Sequence, residues 1–377
     1  MKKYKAIDLF CGAGGLSSGL LKSGFELRLG LDIDDDALKT YKENFHKALI
    51  IKSDIKKING DELLKLSKIK KNDNFLLAGC PPCQGFSNIG KKDPSDSKNQ
   101  LVFDYIRLIN EMEPSFILME NVPGMSTGIG KEIFSRVVSL LKEKYFVQYD
   151  VLNAADYGVP QIRKRLVLHG VRHDIYNILY EKYPEKMKDI LPKKTHVQDI
   201  RNNQKLKEWV SVGKAIGDLP RIEPGESYED GKIYNHVSRN LSDINLQRLD
   251  YIRKHGGSRV CLNESLSLSC HKKITNSYGD TYGVMDDNKP SSTLTGGCTC
   301  ISKGRYGHPT QNRAISIREA ARLQSFSDDF RFVGSLGSMS VQIGNAVPPK
   351  LAEASGKKII KYMHLYDSIL RNIKREK

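Results

Sequence analysis

Short apolar runs alternate with lysine-studded amphipathic segments through the first half of the chain. Residues 4–10, 27–31, 48–51, 75–78, 116–119, 146–152 and 166–171 are apolar stretches of strand length. Between them, residues 16–23, 35–45, 101–112 and 131–144 repeat apolar side chains every three or four positions, the spacing of a helix that buries one face. The alternation is a βαβα series. It predicts an α/β fold with a doubly wound, mostly parallel sheet covered by helices on both faces. Ligands of such sheets bind beyond the carboxyl ends of the strands.

Past residue 171 the pattern breaks into short segments punctuated by Pro184, Pro192, Pro220, Pro224-Gly225, Gly256-Gly257, Pro290 and Gly296-Gly297, which predicts a second, smaller and loop-rich domain. Helical periodicity returns at 316–324, where Ser316 and Glu319 have the spacing of a capping box, and at 350–364 after Pro348-Pro349. The charged run 371–377 reads as a frayed, solvated end. No internal repeat is visible.

Composition narrows the classes. At 377 residues, 39% hydrophobic and 28% charged, with 31 Gly and 14 Pro, the chain is an ordinary globular sequence and not a collagen-like or disordered one. No apolar run nears the roughly 18 residues that span a bilayer, and Asp8 interrupts the one signal-like stretch at the start, so the expected place is the cytoplasm. A formal charge of +16, spread along the chain and not gathered into a tail, suits a polyanionic partner that meets the folded body, nucleic acid first. A basic proteome would give the same excess. Seven cysteines at irregular spacings indicate reduced thiols, and one or more of them is open to a chemical role.

Four segments carry candidate chemistry. Asp8-Leu9-Phe10-Cys11-Gly12-Ala13-Gly14-Gly15-Leu16 ends the first strand with an acid and a glycine-rich turn that opens a helix, either a cofactor loop or a tight turn. A carboxylate there repels a pyrophosphate but suits the ammonium and hydroxyl groups of an aminoacyl nucleoside. Asp32 and Asp54, at the ends of the next two strands, could take ribose hydroxyls and an adenine amino group. Cys80-Pro81-Pro82-Cys83-Gln84-Gly85 follows the fourth strand, with prolines bracing a thiol at the ligand edge. A redox pair or half a zinc site competes, although two prolines make a poor redox insert and Cys298-x-Cys300 lacks zinc spacing. No metal is expected. The polar loop 88–99 beside the thiol suits a lid. Glu120-Asn121-Val122 places an acid at the same edge, and a thiolate with an acid nearby suits attack on an electron-poor ring whose nitrogen must be protonated. In Gln161-Ile162-Arg163-Lys164-Arg165, alternation sends both arginines to one side, where they could hold a carbonyl oxygen, a phosphate or the acid.

Taken in order, these segments resemble the DNA (cytosine-5-)-methyltransferase family of the bacterial restriction-modification type. Asp8–Gly15 resembles its first cofactor motif, Pro82-Cys83-Gln84 its nucleophile motif, Glu120-Asn121-Val122 its acid motif and Gln161–Arg165 its QxRxR motif. Residues 318–324 resemble the helix that follows target recognition, and Gln342-Ile343-Gly344-Asn345-Ala346-Val347-Pro348 the closing motif. The resemblance implies a Rossmann-like methyltransferase fold, with residues 1–178 and 338–377 as the catalytic and cofactor-binding domain and 179–337 as the target-recognition domain. It implies S-adenosylmethionine as cofactor, S-adenosylhomocysteine as product, and a pocket of Asp8, Phe10, Cys11, Gly12, Ala13, Gly14, Gly15, Leu16, Asp32, Ile33, Asp54, Ile55, Pro82, Asn345 and Ala346. Cys83, Glu120, Arg163 and Arg165 would be catalytic, acting on a cytosine flipped out of the duplex. Double-stranded DNA would be the partner, the protein a monomer, and a restriction endonuclease its functional counterpart.

Target sequence is not legible from the resemblance. Gln84, Ser87, Arg239, Arg259, Lys272, Lys273, Thr295 and Arg305 are the candidate DNA contacts, with Lys303 also in range, and Thr293-Leu294 resembles the family's Thr-Leu element. His271, His308 and Cys270 read as structural or solvent-facing. A tRNA cytosine-5 methyltransferase is the nearest alternative; the long stretch between Arg165 and Ser316 favours DNA. An inactive DNA clamp and a nicotinamide or flavin oxidoreductase are further alternatives, opposed by the intact chemical residues and by the absence of a GxGxxG turn.

Overall fold

The computed structural model describes residues 3–82, 100–202, 204–268 and 280–376. Each of the seven forecast apolar runs is a strand: β1 Lys5–Leu9, β2 Glu26–Asp32, β3 Leu49–Lys52, β4 Phe75–Gly79, β5 Phe116–Asn121, β6 Tyr145–Asn153 and β7 Lys164–Arg172. They form one sheet in the order β3-β2-β1-β4-β5-β7-β6. All pairings from β3 to β5 are parallel, and β7 runs antiparallel to both β5 and β6. Every residue of β4 and β5 is buried, as expected of parallel strands covered on both faces. The chain steps outward from β1 to β3, then returns to lay β4 on the other side of β1. That reversal opens the crevice at the carboxyl ends of β1 and β4.

Helices α1 Gly15–Ser23, α2 Asp35–Asn44, α3 Gly60–Ser67, α4 Leu101–Met112, α5 Lys131–Lys142 and α6 His173–Lys182 connect or flank the strands. Their apolar faces join the strands in one core that includes Ile7, Leu29, Phe75, Tyr105, Ile117 and Val137.

The chain divides into two compact units. The first comprises Met1–Asn153, Lys164–Lys194 and Pro349–Lys377; the second comprises Ala154–Arg163 and Thr195–Pro348. The second unit holds α7 Asp243–Lys254, α8 Ile317–Leu323 and α9 Leu336–Asn345, linked by short bridges and turns. The forecast capping box is present at α8: the Ser316 hydroxyl accepts from the Glu319 backbone N–H, and the Glu319 carboxylate accepts from that of Ser316.

Helix α10, Pro349–Glu376, belongs to the first unit and lies against α1, with Gly19 on Ala352 and Gly356 on Ser23. The Tyr4 hydroxyl donates to Asp367 at 2.9 Å and pins β1's entry to the same helix. The expected frayed end is instead the last turns of this helix, exposed but still hydrogen-bonded. Among the described residues no helix is long and apolar enough to cross a membrane, and Cys11, Cys80, Cys261, Cys298 and Cys300 are free thiols.

Candidate active site

The loop after β1 needs unusual backbone. Phe10, Gly12 and Gly14 have φ of 59°, 52° and 96°, and a Cβ at Gly14 would collide with the Phe45 ring. Left-handed backbone at an aromatic residue is strained, and such strain gathers at functional turns. Asp32 holds the loop: its Oδ2 accepts from the Gly12 N–H at 2.7 Å, while Oδ1 accepts from Ile33 and Asp34. Burial pushes the Asp32 carboxyl up, against the pull of those three N–H groups. Ile33 stands 64% exposed beside it. Asp54 caps the turn Ile55–Lys57 by accepting from the Lys56 N–H. The Ile55 side chain is turned into the core, and its carbonyl accepts from the Arg107 guanidinium at 2.9 Å. Cys11, Ala13, Gly14, Gly15 and Leu16 are buried, and Gly12 borders open space.

Asp8 lies inside the sheet. Its Oδ2 accepts from the Ser17 hydroxyl at 2.6 Å, and its Oδ1 is buried with no hydrogen-bond partner. Desolvation raises its carboxyl to about 7. Cys80 follows β4, with its N–H on the Leu9 carbonyl. Burial, then Glu120 and Asp8, push the Cys80 thiol well up, so this cysteine is held neutral and is a poor nucleophile. Cys83, Gln84 and Ser87 lie outside the described residues.

Glu120 is the penultimate residue of β5 and is 7% exposed. Arg165, on the adjacent β7, places Nε 2.9 Å from Glu120 Oε1. The Asn121 side-chain amide donates to the Pro81 carbonyl at 3.0 Å, tying the acid strand to the proline turn that leads toward Cys83. An acid braced by a guanidinium at this edge of the sheet can protonate a bound ring.

Along 161–165, Gln161 and Arg163 are buried, Ile162 and Lys164 exposed and Arg165 half-buried; Arg163 falls in the second unit, Lys164 and Arg165 in the first. Arg163 donates to the carbonyls of Leu294 at 2.8 Å and Gly344 at 2.7 Å, and reaches those of Ala346 and the Gln161 side chain. Gln161 donates to the Gln324 side chain at 2.6 Å, and Gln324 donates to Ile343 and Ala346. Arg163 therefore serves backbone carbonyls of its own unit. Asn345, exposed, and Ala346 close α9 in this unit.

A model of the C-5 cytosine-specific DNA methylase family matches residues 4–361. The chain belongs to that family. Among its relatives, the type II methylase M.HgiDII of Herpetosiphon aurantiacus is 37% identical over 95% of each chain. The type II methyltransferase M.XorII of Xanthomonas oryzae is 34% identical, over 96% of this chain and 85% of that one. The crystal structure of a putative DNA modification methyltransferase encoded within an E. coli prophage has a TM-score of 0.68 and 27% identity, covering 96% of this chain and all of the other. This methylase accordingly has DNA (cytosine-5)-methyltransferase activity of the restriction-modification type and acts on DNA; the tRNA alternative is not favoured.

The forecast DNA contacts of the methylase fall in different settings. Arg305 donates to the Gly257 and Val284 carbonyls and pairs with Asp280, so its guanidinium staples a turn. Arg239 donates to the Thr299 hydroxyl. Thr295 pairs with the Tyr306 hydroxyl through both its N–H and its side chain. Arg259 opens the 3-10 turn Arg259–Cys261 and is half-buried. His308 is structural, buried 3.4 Å from Glu319. Cys270, His271, Lys272 and Lys273 lie outside the described residues. Sequence reasoning assigned no role to Ser17, Tyr41, Asn121 or Gln324, whose partners lie far along the chain or in another element; Asn121 and Gln324 carried a signal, each as a member of a family motif.

Proposed function

We propose that this methylase transfers the methyl group of S-adenosylmethionine to carbon 5 of a cytosine flipped out of a short, specific duplex sequence, with Cys83 as covalent nucleophile. The observation that carries this reading is the buried Glu120–Arg165 pair, 2.9 Å apart at the end of β5, beside the Pro81 turn that leads to Cys83. Carbon 5 of cytosine is too weak a nucleophile to take a methyl group unaided. Addition of the Cys83 thiolate to carbon 6, with Glu120 protonating or hydrogen-bonding ring N3, makes it an enamine carbon. Arg165 holds Glu120 and orients the cytosine carbonyl. Loss of the carbon-5 proton and release of Cys83 restore aromaticity. Arg163 acts one step removed, by fixing the closing motif. Extruding the base costs about a few kcal/mol, which contacts to the opened duplex must supply.

The residues around the β1 loop fit the cofactor. Gly12 opens onto free space, α1 begins without a side-chain cap, and Asp8 keeps a buried oxygen without a partner. Phe10 to Leu16 would cradle it, Asp32 would take its ribose and Asp54 its adenine amino group, with Ile33 and Pro82 shaping the remainder. S-adenosylmethionine supplies an electrophilic methyl group on a sulfonium and leaves as S-adenosylhomocysteine. In this reading the protein works in the cytoplasm as a monomer and shields its sites from a partner restriction endonuclease.

The test is expression in a methylation-free host with single-base mapping of 5-methylcytosine, alongside Cys83→Ser. One short motif fully modified by the parent and unmodified with the variant is the expected result. A parent that binds S-adenosylmethionine yet modifies no DNA cytosine would overturn the reading.

A further inference from the structure

Beneath the glycine loop lies a buried acid, Asp8, that the methyl-transfer scheme leaves without a task. Asp8 is completely buried, its Oδ2 on the Ser17 hydroxyl, and that hydroxyl is 2.8 Å from the Tyr41 hydroxyl. Its second oxygen has no partner. The groups that face it are Ser17 from α1, Tyr41 from α2, Asp32 from the end of β2, Cys11 from the loop, Cys80 from the end of β4 and Tyr105 from α4. Among the described residues none of these is a cation. Asp8 lies where water is excluded, with half-buried Asp32 near it and no cation among the described groups that face it, so the negative field of its ionised form is little screened.

We propose that Asp8 is a specificity-determining residue that makes the cofactor pocket select by charge, its ionised form favouring the cationic sulfonium over the neutral thioether product. This rests on the cofactor reading above. When the methyl group leaves, its bond to sulfur breaks, the electron pair stays on sulfur, and the positive charge that had balanced the acids is gone. The carboxyl then holds a proton more readily, and the pocket no longer distinguishes the thioether by charge. Burial is the largest influence on Asp8, the Ser17 hydroxyl opposes it, and Asp32 adds to it; together they bring the carboxyl to about 7, so the selection operates near neutral pH. The Ser17 hydroxyl, by stabilising the ionised form, sets where on the pH scale it acts.

Calorimetric titration of the DNA-free protein with S-adenosylmethionine and with S-adenosylhomocysteine between pH 6 and 8 tests this. The carboxyl group is common to both ligands and cancels in the ratio of their Kd values; the α-ammonium, made more acidic by the sulfonium, does not, and its contribution is read from Asp8→Asn and subtracted. In the parent, the preference for the sulfonium should rise on the order of tenfold across that range. Asp8→Asn should flatten the ratio to the α-ammonium's contribution while both ligands still bind. Ser17→Ala, which keeps the carboxyl and removes its hydrogen bond, should move the midpoint to higher pH, and it decides the matter if Asp8→Asn does not fold. A ratio independent of pH in the parent, or the same pH dependence in Asp8→Asn, overturns the proposal. If neither ligand binds the parent at any pH, the cofactor reading fails and the proposal with it.

Discussion

At the scale of single residues, the side chain on which the proposed chemistry turns is Glu120. Its carboxylate is braced by Arg165 and enclosed by β5 and β7, so replacing it by an isosteric amide alters proton transfer more than packing. Glu120→Gln should lower the single-turnover methylation rate by about 10²–10⁴-fold while cofactor affinity changes little. An unchanged rate would remove Glu120 from the acid role. A second residue acts on stability. His169, in β7, donates from Nδ1–H to the Ile190 carbonyl, and its Nε2 is buried without a hydrogen-bond partner. Burial lowers its pKa from 6.5 to about 4. Between those values the unfolded chain binds the proton that the native state refuses, so stability falls as pH drops from 6.5 toward 4. The full loss is about 3 kcal/mol. Asp8 has the opposite sign, its raised carboxyl stabilising the fold less as pH rises toward 7. Urea denaturation of the parent against His169→Gln at pH 7.5 and pH 5 separates the two: the acid penalty should shrink in the variant, and an equal penalty in both would assign it elsewhere.

At the scale of elements, the glycine loop depends on how α1 is seated. A Cβ at Gly19 would collide with Ala352 and with the Pro349 carbonyl of α10, and backbone cannot step aside as a flexible side chain can. Glycine to alanine in an open helix ordinarily stabilises by about 1 kcal/mol. Here overpacking costs about 1–3 kcal/mol, so Gly19→Ala should lower stability in urea, and a rise would show that α10 yields. The apolar runs placed all seven strands, because a sheet covered on both faces demands continuous hydrophobic stretches. They ended β5 at Met119, however, whereas the strand continues through Glu120 and Asn121 because β7 supplies Val167 and Leu166 as partners. That extension, invisible locally, is what fixes the acid in place. Helix α9 escaped notice for a related reason: its glycines and serines are weak helix formers, and burial of Met339 and Ile343 with a Ser335 cap compensates. At the site, Asp8, Asp32, Glu120 and Arg165 were legible because each ends or borders a strand at the crevice. Asn121, Ser17 and Tyr41 were not, since their roles are defined by hydrogen bonds to partners that spacing does not reveal.

At the scale of the whole molecule, the formal charge of +16 acquires a purpose once DNA is the substrate. The excess is not uniformly available. Arg163, Arg313 and Arg318 are fully buried on carbonyls or on Glu319, and Arg305 is committed to a turn, so these charges build the second unit and do not meet phosphate. What remains is mostly exposed lysine, a compact and strongly hydrated charge suited to backbone attraction and poor at reading base edges. Affinity for unmethylated duplex of arbitrary sequence should therefore be almost wholly electrostatic. With roughly six phosphate contacts it should fall about 10³-fold between 50 and 200 mM salt, whereas the preference for the cognate motif over that background should change far less. Fluorescence anisotropy with one cognate and one scrambled duplex measures both quantities. Parallel salt slopes separated by a constant offset are the expected pattern. A shallow slope on the scrambled duplex would mean that the lysine surplus lies away from the DNA and that arginines such as Arg259 carry the binding.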